Sequence, residues 1–313
     1  MKLIIQIPCY NEAVHLPVAL KELPRQVDGF DSVEWLIIDD GSTDETAEVA
    51  KANGVDHVVS LTKNQGLAKG FQAGIDACIK LGADVIVNTD ADNQYNAEDI
   101  EKLVEPILKG NADYVIGARP IEEIKHFSFS KKILQKIGSW VVRTTSNTDI
   151  PDAPSGFRAI SKNTALKLNV FNEYTYTLET IIQAGQKNMA ICSVPIRVNR
   201  DLRPSKLVKS IPAYIRKSII TIIRIFVVYK PFRFFMTIGT ILFALGFVIG
   251  LRFLYFYFTA QGQGHIQSVI LSGALLAMGF QTMLIAFIAD LLSVNRKLLE
   301  DLQFRLKKIE LKK

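Results

Sequence analysis

From Phe234 to Leu292 the sequence is nearly free of charge, and no other feature restricts the possible folds so severely. Phe234 to Leu251 carries no charge, the run continues past Arg252 to Phe258, and a second run covers Ile266 to Ala289. Each reaches the roughly 20 residues needed to cross about 30 Å of hydrocarbon. The intervening TAQGQGHI has no Lys or Arg, whereas Arg216, Lys217, Arg224, Lys230 and Arg233 precede the pair and Arg296, Lys297, Arg305, Lys307 and Lys308 follow it. Two transmembrane helices within 232–292, with both termini on the cytoplasmic side, are expected from this asymmetry. Arg252, near the outer end of the first span, is expected to snorkel outward or to face the other helix.

Where the charge lies says more than its total. The 313 residues are 49% apolar and carry a net charge of +6, with basic residues crowding both flanks of the apolar region. Such clusters suit anionic lipid or phosphate; a nucleic-acid binder spreads Lys and Arg over a folded face, so no nucleic-acid partner is expected. Cys9, Cys78 and Cys192 are far apart without CxxC pairing, which indicates structural thiols in a reducing compartment. KLIIQI runs directly into PCYNE without a small-residue cleavage site, so the N-terminal part is expected to stay in the cytoplasm. A multi-pass protein of the cell membrane, or of an endoplasmic-reticulum-type membrane, is the expectation.

The first 200 residues alternate short apolar runs with helical patterns. Leu3 to Ile7, Trp35 to Ile38, Val85 to Val87 and Tyr114 to Ile116 are rich in Ile and Val. They predict an α/β fold whose mainly parallel sheet is covered by helices on both faces. In GSTDETAEVAKANG, Ser42 and Glu45 have capping-box spacing and Gly54 stands at a C-terminal cap. Further helices are expected over Asn64 to Lys80 and Ala97 to Lys109.

Ligands of open parallel sheets bind beyond the carboxyl ends of the strands. There the sequence places PCYNE, DDGS and TDADNQ, polar and acidic where ordinary turns would serve. No GxGxxG follows the first strand and NQGLAKG lacks the GKS or GKT of a P-loop, which argues against dinucleotide and P-loop chemistry. Glu12, Asp39 and Asp40 can accept hydrogen bonds from ribose hydroxyls and base NH groups. Bare carboxylates repel a diphosphate, however, and need a cation between them. Asp90 and Asp92, with the amide oxygen of Gln94, offer hard oxygen ligands suited to Mg2+ or Mn2+, which would neutralise charge on a departing nucleoside diphosphate. The four His residues are scattered and form no zinc pattern.

PCYNE, IIDDGSTDET, NQGLAKGFQAGI, TDADNQY, SGFR and RPSKL, in this order and spacing, resemble the inverting family 2 glycosyltransferases of GT-A fold. Within these the chain is most similar to the dolichol-phosphate mannose synthase and bacterial polyprenyl-phosphate glucosyltransferase group. The likeness covers roughly residues 1–230, and the paired spans match two-span members. It implies that Pro8, Tyr10, Glu12 and Asp39 line a nucleotide-sugar pocket together with Asp90, and that Asp90, Asp92 and Gln94 sit at the metal and diphosphate. Arg119, Arg203, Ser205 and Lys206 are implied as phosphate contacts, with Asp92, Arg119 and Arg203 carrying the catalytic work. Related enzymes often place an Arg on the helix after the GAR loop; here SKKILQK offers Lys131 or Lys132 instead, a point charge in place of a planar fork. Asp152, three residues before SGFR, is implied to orient the sugar or an Arg.

The implied organisation is a cytoplasmic catalytic domain over 1–204, juxtamembrane amphipathic helices over 205–231, the two spans over 232–292 and a basic C-terminal helix over 293–313. In KKILQKIGSWVVRTTSN, Ile133, Ile137, Trp140 and Val141 recur at helical spacing, while Lys132, Lys136 and Arg143 fall on another side, as in a helix lying in a bilayer interface. The implied reaction moves a hexose from a UDP- or GDP-linked sugar to dolichyl or undecaprenyl phosphate. Alternatives are a membrane glycosyltransferase with a polysaccharide or protein acceptor, a nucleotidyltransferase, or a non-catalytic flippase-associated scaffold. The Leu and Ile spacing of the C-terminal RKLLEDLQFRLKKIELKK fits a homo-oligomer contact and a surface amphipathic helix equally.

Overall fold

The computed structural model describes residues 1–120, 139–140, 142–144, 146, 148–171, 175–199, 211–259 and 266–311. Lys131, Lys132, Arg203, Ser205, Lys206 and, from the expected interfacial helix, Val141 and the 131–138 part lie outside these residues. The chain divides into two compact units, Met1–Ile219 with Gln303–Lys313, and Ile220–Leu302.

The first unit is built on a mixed seven-stranded sheet. Its strands are β1 (Lys2–Cys9), β2 (Ser32–Asp39), β3 (His57–Ser60), β4 (Val85–Asn88), β5 (Tyr114–Ala118), β6 (Arg158–Ser161) and β7 (Ile191–Pro195). Their order is β3-β2-β1-β4-β6-β5-β7, with only β6 antiparallel to its neighbours. Leu3, Ile4, Ile5, Ile7, Leu36, Ile37, Ile38, Val85, Ile86 and Val87 are all buried, as strands covered on both faces require. The covering helices are α1 (Leu16–Glu22), α2 (Thr46–Ala52), α3 (Leu67–Lys80), α4 (Ile100–Leu108), α5 (Lys162–Lys167) and α6 (Thr177–Gln186).

This order decides where a site can lie. Successive crossovers run from β1 outward to β2 and β3, then back to β4 on the other side of β1, so the chain reverses direction between β1 and β4. A crevice opens at such a switch point, at the carboxyl ends of the strands. The antiparallel β6 starts at that same rim, because Arg158 pairs with Asn88 at the end of β4 and with Ile116 in β5. Residues leading into β6 and those leaving β7 therefore converge on the loop after β4.

Helix starts shift from the expected positions for local reasons. Ser42 and Glu45 make no capping box: Ser42 Oγ accepts the N–H of Asn11, Asp44 Oδ1 accepts that of Thr46 at 3.1 Å, and α2 begins at Thr46. α3 begins at Leu67 because Asp40 accepts the N–H groups of Gln65 and Gly66 at 2.7 and 2.8 Å, holding those residues out of the helix. Gly54 takes φ +76 at the end of α2, as a C-terminal cap requires.

The last turns of the chain return to this unit. Lys307 Nζ donates to Asp76 on α3 at 3.0 Å and to Asn169 Oδ1 at 3.3 Å, and Lys167 lies over the Phe304 ring.

α7 (Ile211–Tyr229), with Pro212 in its first turn, leads to the helices of the second unit, α8 (Pro231–Phe258) and α9 (Ile266–Glu310). At about 1.5 Å per residue, each exceeds the hydrocarbon thickness. Only 11% of the most apolar stretch of each is buried, unlike a core helix of a soluble protein. Arg252 is exposed, 5.5 Å from the Phe256 ring. The two helices meet along small residues, Gly279 on α9 against Gly239 on α8 and Ser272 against Gly246 and Gly250, and the buried residues of α9, Ser272, Gly279, Ala286, Ser293 and Glu300, recur every seventh position. A seven-residue period keeps one seam facing the partner helix, and small residues let the backbones approach where lipid gives no hydrophobic drive. Ser272 Oγ donates to Gly246 O at 2.7 Å across the seam.

A Cβ on Gly279 would lie 2.6 Å from Phe243 N, whereas one on the neighbouring Gly273 meets nothing within 4 Å. Gly279→Leu is expected to cost about 1–3 kcal/mol by overpacking, lowering the thermal midpoint in detergent by several degrees, with Gly273→Leu within about one degree of the parent. Equal effects of the two would contradict the seam.

Candidate active site

The site grows from three strand ends. β1 delivers Pro8, which is buried, Tyr10, which is 40% exposed, and Glu12, which is buried. β2 delivers Asp39 and Asp40, both buried. The two loops are stitched together: Asn11, in the left-handed region at φ +53, accepts the N–H of Thr43 at 2.8 Å, and its own N–H donates to Ser42 Oγ at 2.9 Å. Asp39 Oδ1 accepts the N–H of Ser42 at 2.9 Å. Asp40 directs both carboxylate oxygens at the NQG loop and so shapes the rim of the site. Gly41 allows that loop to pass; at φ +65, a Cβ there would fall 2.3 Å from the backbone of Lys63.

β4 delivers the acidic tip. Gln6 Nε2 donates to Asn88 Oδ1 at 2.9 Å, and Asn88 Nδ2 donates to Gly156 O at 2.8 Å and to Tyr176 Oη at 2.9 Å. This buried amide bridge ties β1, β4 and the loop before β6 beneath Asp90. Asn93 is left-handed at φ +55, and the N–H of Gln94 donates to Asp92 Oδ1 at 3.2 Å. The chain after β7 clasps the same loop: Tyr95 bridges Val198, Asn199 N–H donates to Gln94 O at 2.8 Å, and Asn199 Nδ2 donates to Asn93 O at 3.2 Å. Arg197 is fixed on the buried Asp99 by its backbone N–H at 2.6 Å and by its guanidinium. Burial opposes ionisation of Asp99, but these hydrogen bonds prevail and lower its pKa.

The loop before β6 brings two further groups. Asp152 binds Arg119, which directly follows β5, through Nε at 2.7 Å and Nη2 at 3.0 Å, and also accepts the Arg119 N–H. Both carboxylate oxygens of Asp152 are thereby engaged by Arg119. Gly156 lies against Asp90; a Cβ there would stand 2.9 Å from Asp90 Oδ2. Arg158 is wholly buried, and its guanidinium donates to the carbonyls of Ala153, Ser155 and Thr177 and to the Tyr114 and Thr180 hydroxyls. It braces the 152–156 loop, and its positive charge acts on Asp90. Sequence reasoning gave Asn88, Tyr95, Gly156, Arg158, Arg197 and Asn199 no role; the SGFR and TDADNQY motifs were the available signals.

The electrostatics centre on Asp90. Loss of water around its carboxyl, then the charge of Asp92, push its pKa up to about 7, against the pull of Arg119, a Tyr95 hydrogen bond and Arg158. Among the described residues no three His, Cys, Asp or Glu side chains form a ready metal cage. Two carboxylates and an amide oxygen are instead a partial oxygen set, which fits an Mg2+- or Mn2+-type cation completed by phosphate and water oxygens.

Residues 4–175, more than half of the chain, match the model of glycosyl transferase family 2. An undecaprenyl-phosphate mannosyltransferase of Micrococcus luteus is 29% identical over 218 residues, covering 66% of this chain and 88% of that protein. A UDP-N-acetylglucosamine–dolichyl-phosphate N-acetylglucosaminyltransferase of Methanococcus voltae is 29% identical over 215 residues, covering 61% and 83%. Among solved structures, glucosyl-3-phosphoglycerate synthase of Mycobacterium tuberculosis with phosphoglyceric acid has a TM-score of 0.57 at 21% identity, covering 72% of this chain and 79% of that one. The same synthase in complex with Mn2+, UDP and glucosyl-3-phosphoglycerate has a TM-score of 0.53 at 19% identity, covering 71% and 79%. At these identities the structural likeness is one of fold.

The raised pKa of Asp90 has a consequence for stability. Its ordinary value is 3.8 and its folded value about 7, so its contribution is complete below about pH 4 and is lost as the pH rises through about 7. Without divalent ions, Asp90→Asn is expected to melt above the parent, by a margin that widens from pH 4 to pH 7 and then levels. Thermal scans in detergent across that range check this, and identical midpoints at pH 8 would contradict it.

Proposed function

We propose that this chain, which belongs to glycosyl transferase family 2, transfers a hexose from a nucleotide sugar to a polyprenyl phosphate at a membrane surface, with inversion at the sugar carbon. One observation carries the reading: two carboxylates stand just beyond the end of β4, at the switch point of the sheet, and one of them is pushed toward protonation by burial and by the charge of the other. The relatives named for undecaprenyl and dolichyl phosphate, and two helices long and apolar enough to cross a bilayer, support a lipid acceptor.

In this reading Pro8, Tyr10, Glu12 and Asp39 line the nucleotide pocket. A divalent ion held by Asp90, Asp92 and Gln94 would supply charge neutralisation for the departing diphosphate. The acceptor needs no general base, because a phosphate monoester has a second pKa of about 6 and is largely a dianion at neutral pH. The protein's task is to hold two anions in line for attack on the sugar face opposite the nucleotide. Arg119, held by Asp152 through two guanidinium nitrogens, presents a fixed positive charge near Asp90 and lowers the repulsion there. Arg203, Ser205, Lys206 and one of Lys131 and Lys132 are the further acceptor-phosphate candidates.

The basic residues flanking α8 and α9 support a reading in which the catalytic unit lies on the cytoplasmic side of a two-span membrane protein. Trp140, 56% exposed, beside buried Ser139 and Val142, is available to the bilayer interface.

Purified protein, polyprenyl phosphate, Mn2+ and a panel of UDP- and GDP-sugars are expected to yield one glycosyl phosphoprenol, identified by mass. Asp92→Ala is expected to lower turnover by at least about a hundredfold to a thousandfold, with the thermal midpoint retained. Undiminished activity of that variant with the metal supplied would refute the role of the acidic tip. Product on a polysaccharide or protein alone would refute the acceptor.

A further inference from the structure

Tyr95 is buried, 4% exposed, one residue beyond the expected metal ligand Gln94. The N–H of Gly156 donates to its hydroxyl at 2.9 Å, which fixes Gly156 against the Asp90 carboxylate. A backbone N–H can only donate, so Gly156 takes a lone pair of the phenol oxygen.

The ring has little freedom to leave this arrangement. It stacks on the buried Phe157 with centroids 5.1 Å apart and planes 10° from parallel, and its backbone bridges Val198. The Cα of Gly156 is so close to the carboxylate that a Cβ would contact both Asp90 oxygens, at 2.9 and 3.1 Å.

We propose that Tyr95 is a positioning residue: with Gly156 it locks the rotamer of Asp90, so that the carboxylate keeps its remaining lone pairs for a divalent ion shared with Asp92. This deepens the reading above and rests on its metal site. Groups that orient a metal ligand from behind typically matter about 10–100-fold in metal affinity.

The test is binding of Mn2+ alone to the full chain in detergent, followed by loss of the free-ion EPR signal, with activity as a second readout. Tyr95→Phe, which keeps the stacked ring and deletes only the hydroxyl, is expected to weaken Mn2+ binding about 10–100-fold and to recover turnover at raised Mn2+. Gly156→Ala, which pushes on Asp90 directly, is expected to weaken it likewise. Thr164→Val removes a buried hydroxyl in α5 that accepts from Ser161 Oγ at 3.1 Å; it is expected to leave Mn2+ binding unchanged even where it lowers the thermal midpoint. Parent-like Mn2+ binding by folded Tyr95→Phe and Gly156→Ala would overturn the inference alone. A parent chain that takes up no Mn2+ would instead overturn the metal reading, and the inference with it.

Discussion

Two carboxylates one residue apart repel each other, and beyond the end of β4 they do so with part of their water removed. The rest of the catalytic unit is organised around that repulsion. Asp90 is pulled back toward ionisation by Arg119, Tyr95 and Arg158, yet burial and Asp92 still win. Such a tip is poor at stabilising the fold and well suited to gripping a cation, a conflict common at functional sites. The strain is contained by rigid surroundings: the Asn88 bridge beneath, the Arg119–Asp152 pair beside, and the clasp of Arg197 and Asn199 over the loop.

The strand topology explains why residues so distant in sequence meet there. A parallel β6 would deliver its carboxyl end to the rim and leave Asp152 and Gly156 on the far side of the sheet. Because β6 runs antiparallel, the segment leading into it arrives at the rim, and Asn88 and Arg158 become register partners. The second unit follows a different rule. Its helices bury few residues, and on α9 those recur every seventh position, so small side chains set the seam while large apolar ones face outward.

Much of this was legible in the sequence because burial on both faces writes continuous Ile and Val runs, as in Leu3 to Ile7 and Val85 to Val87. β6 and β7 were not, since RAIS and ICSVP carry no such run; pairing with β4 and β5 makes them strands. The delayed start of α3 depends on Asp40, whose carboxylate reaches 25 residues along the chain to Gln65. Arg158 is the clearest case. An arginine is ordinarily exposed, and its complete burial follows from neutral oxygens on Tyr114, on the 153–155 loop and on the 177–180 turn of α6, a convergence that no local pattern reveals. The residues of the acidic tip could be named from strand ends and resemblance; the groups that hold them in place could not.

The central claim is that the tip beyond β4 holds a divalent ion against a nucleoside diphosphate. Crystals grown with Mn2+ and donor nucleotide, measured at the manganese absorption edge, test it most directly. The account predicts an anomalous peak within about 2.2 Å of carboxylate oxygens from both Asp90 and Asp92, touching the diphosphate. A well-ordered nucleotide with no peak there, or with the ion bound elsewhere, would contradict it.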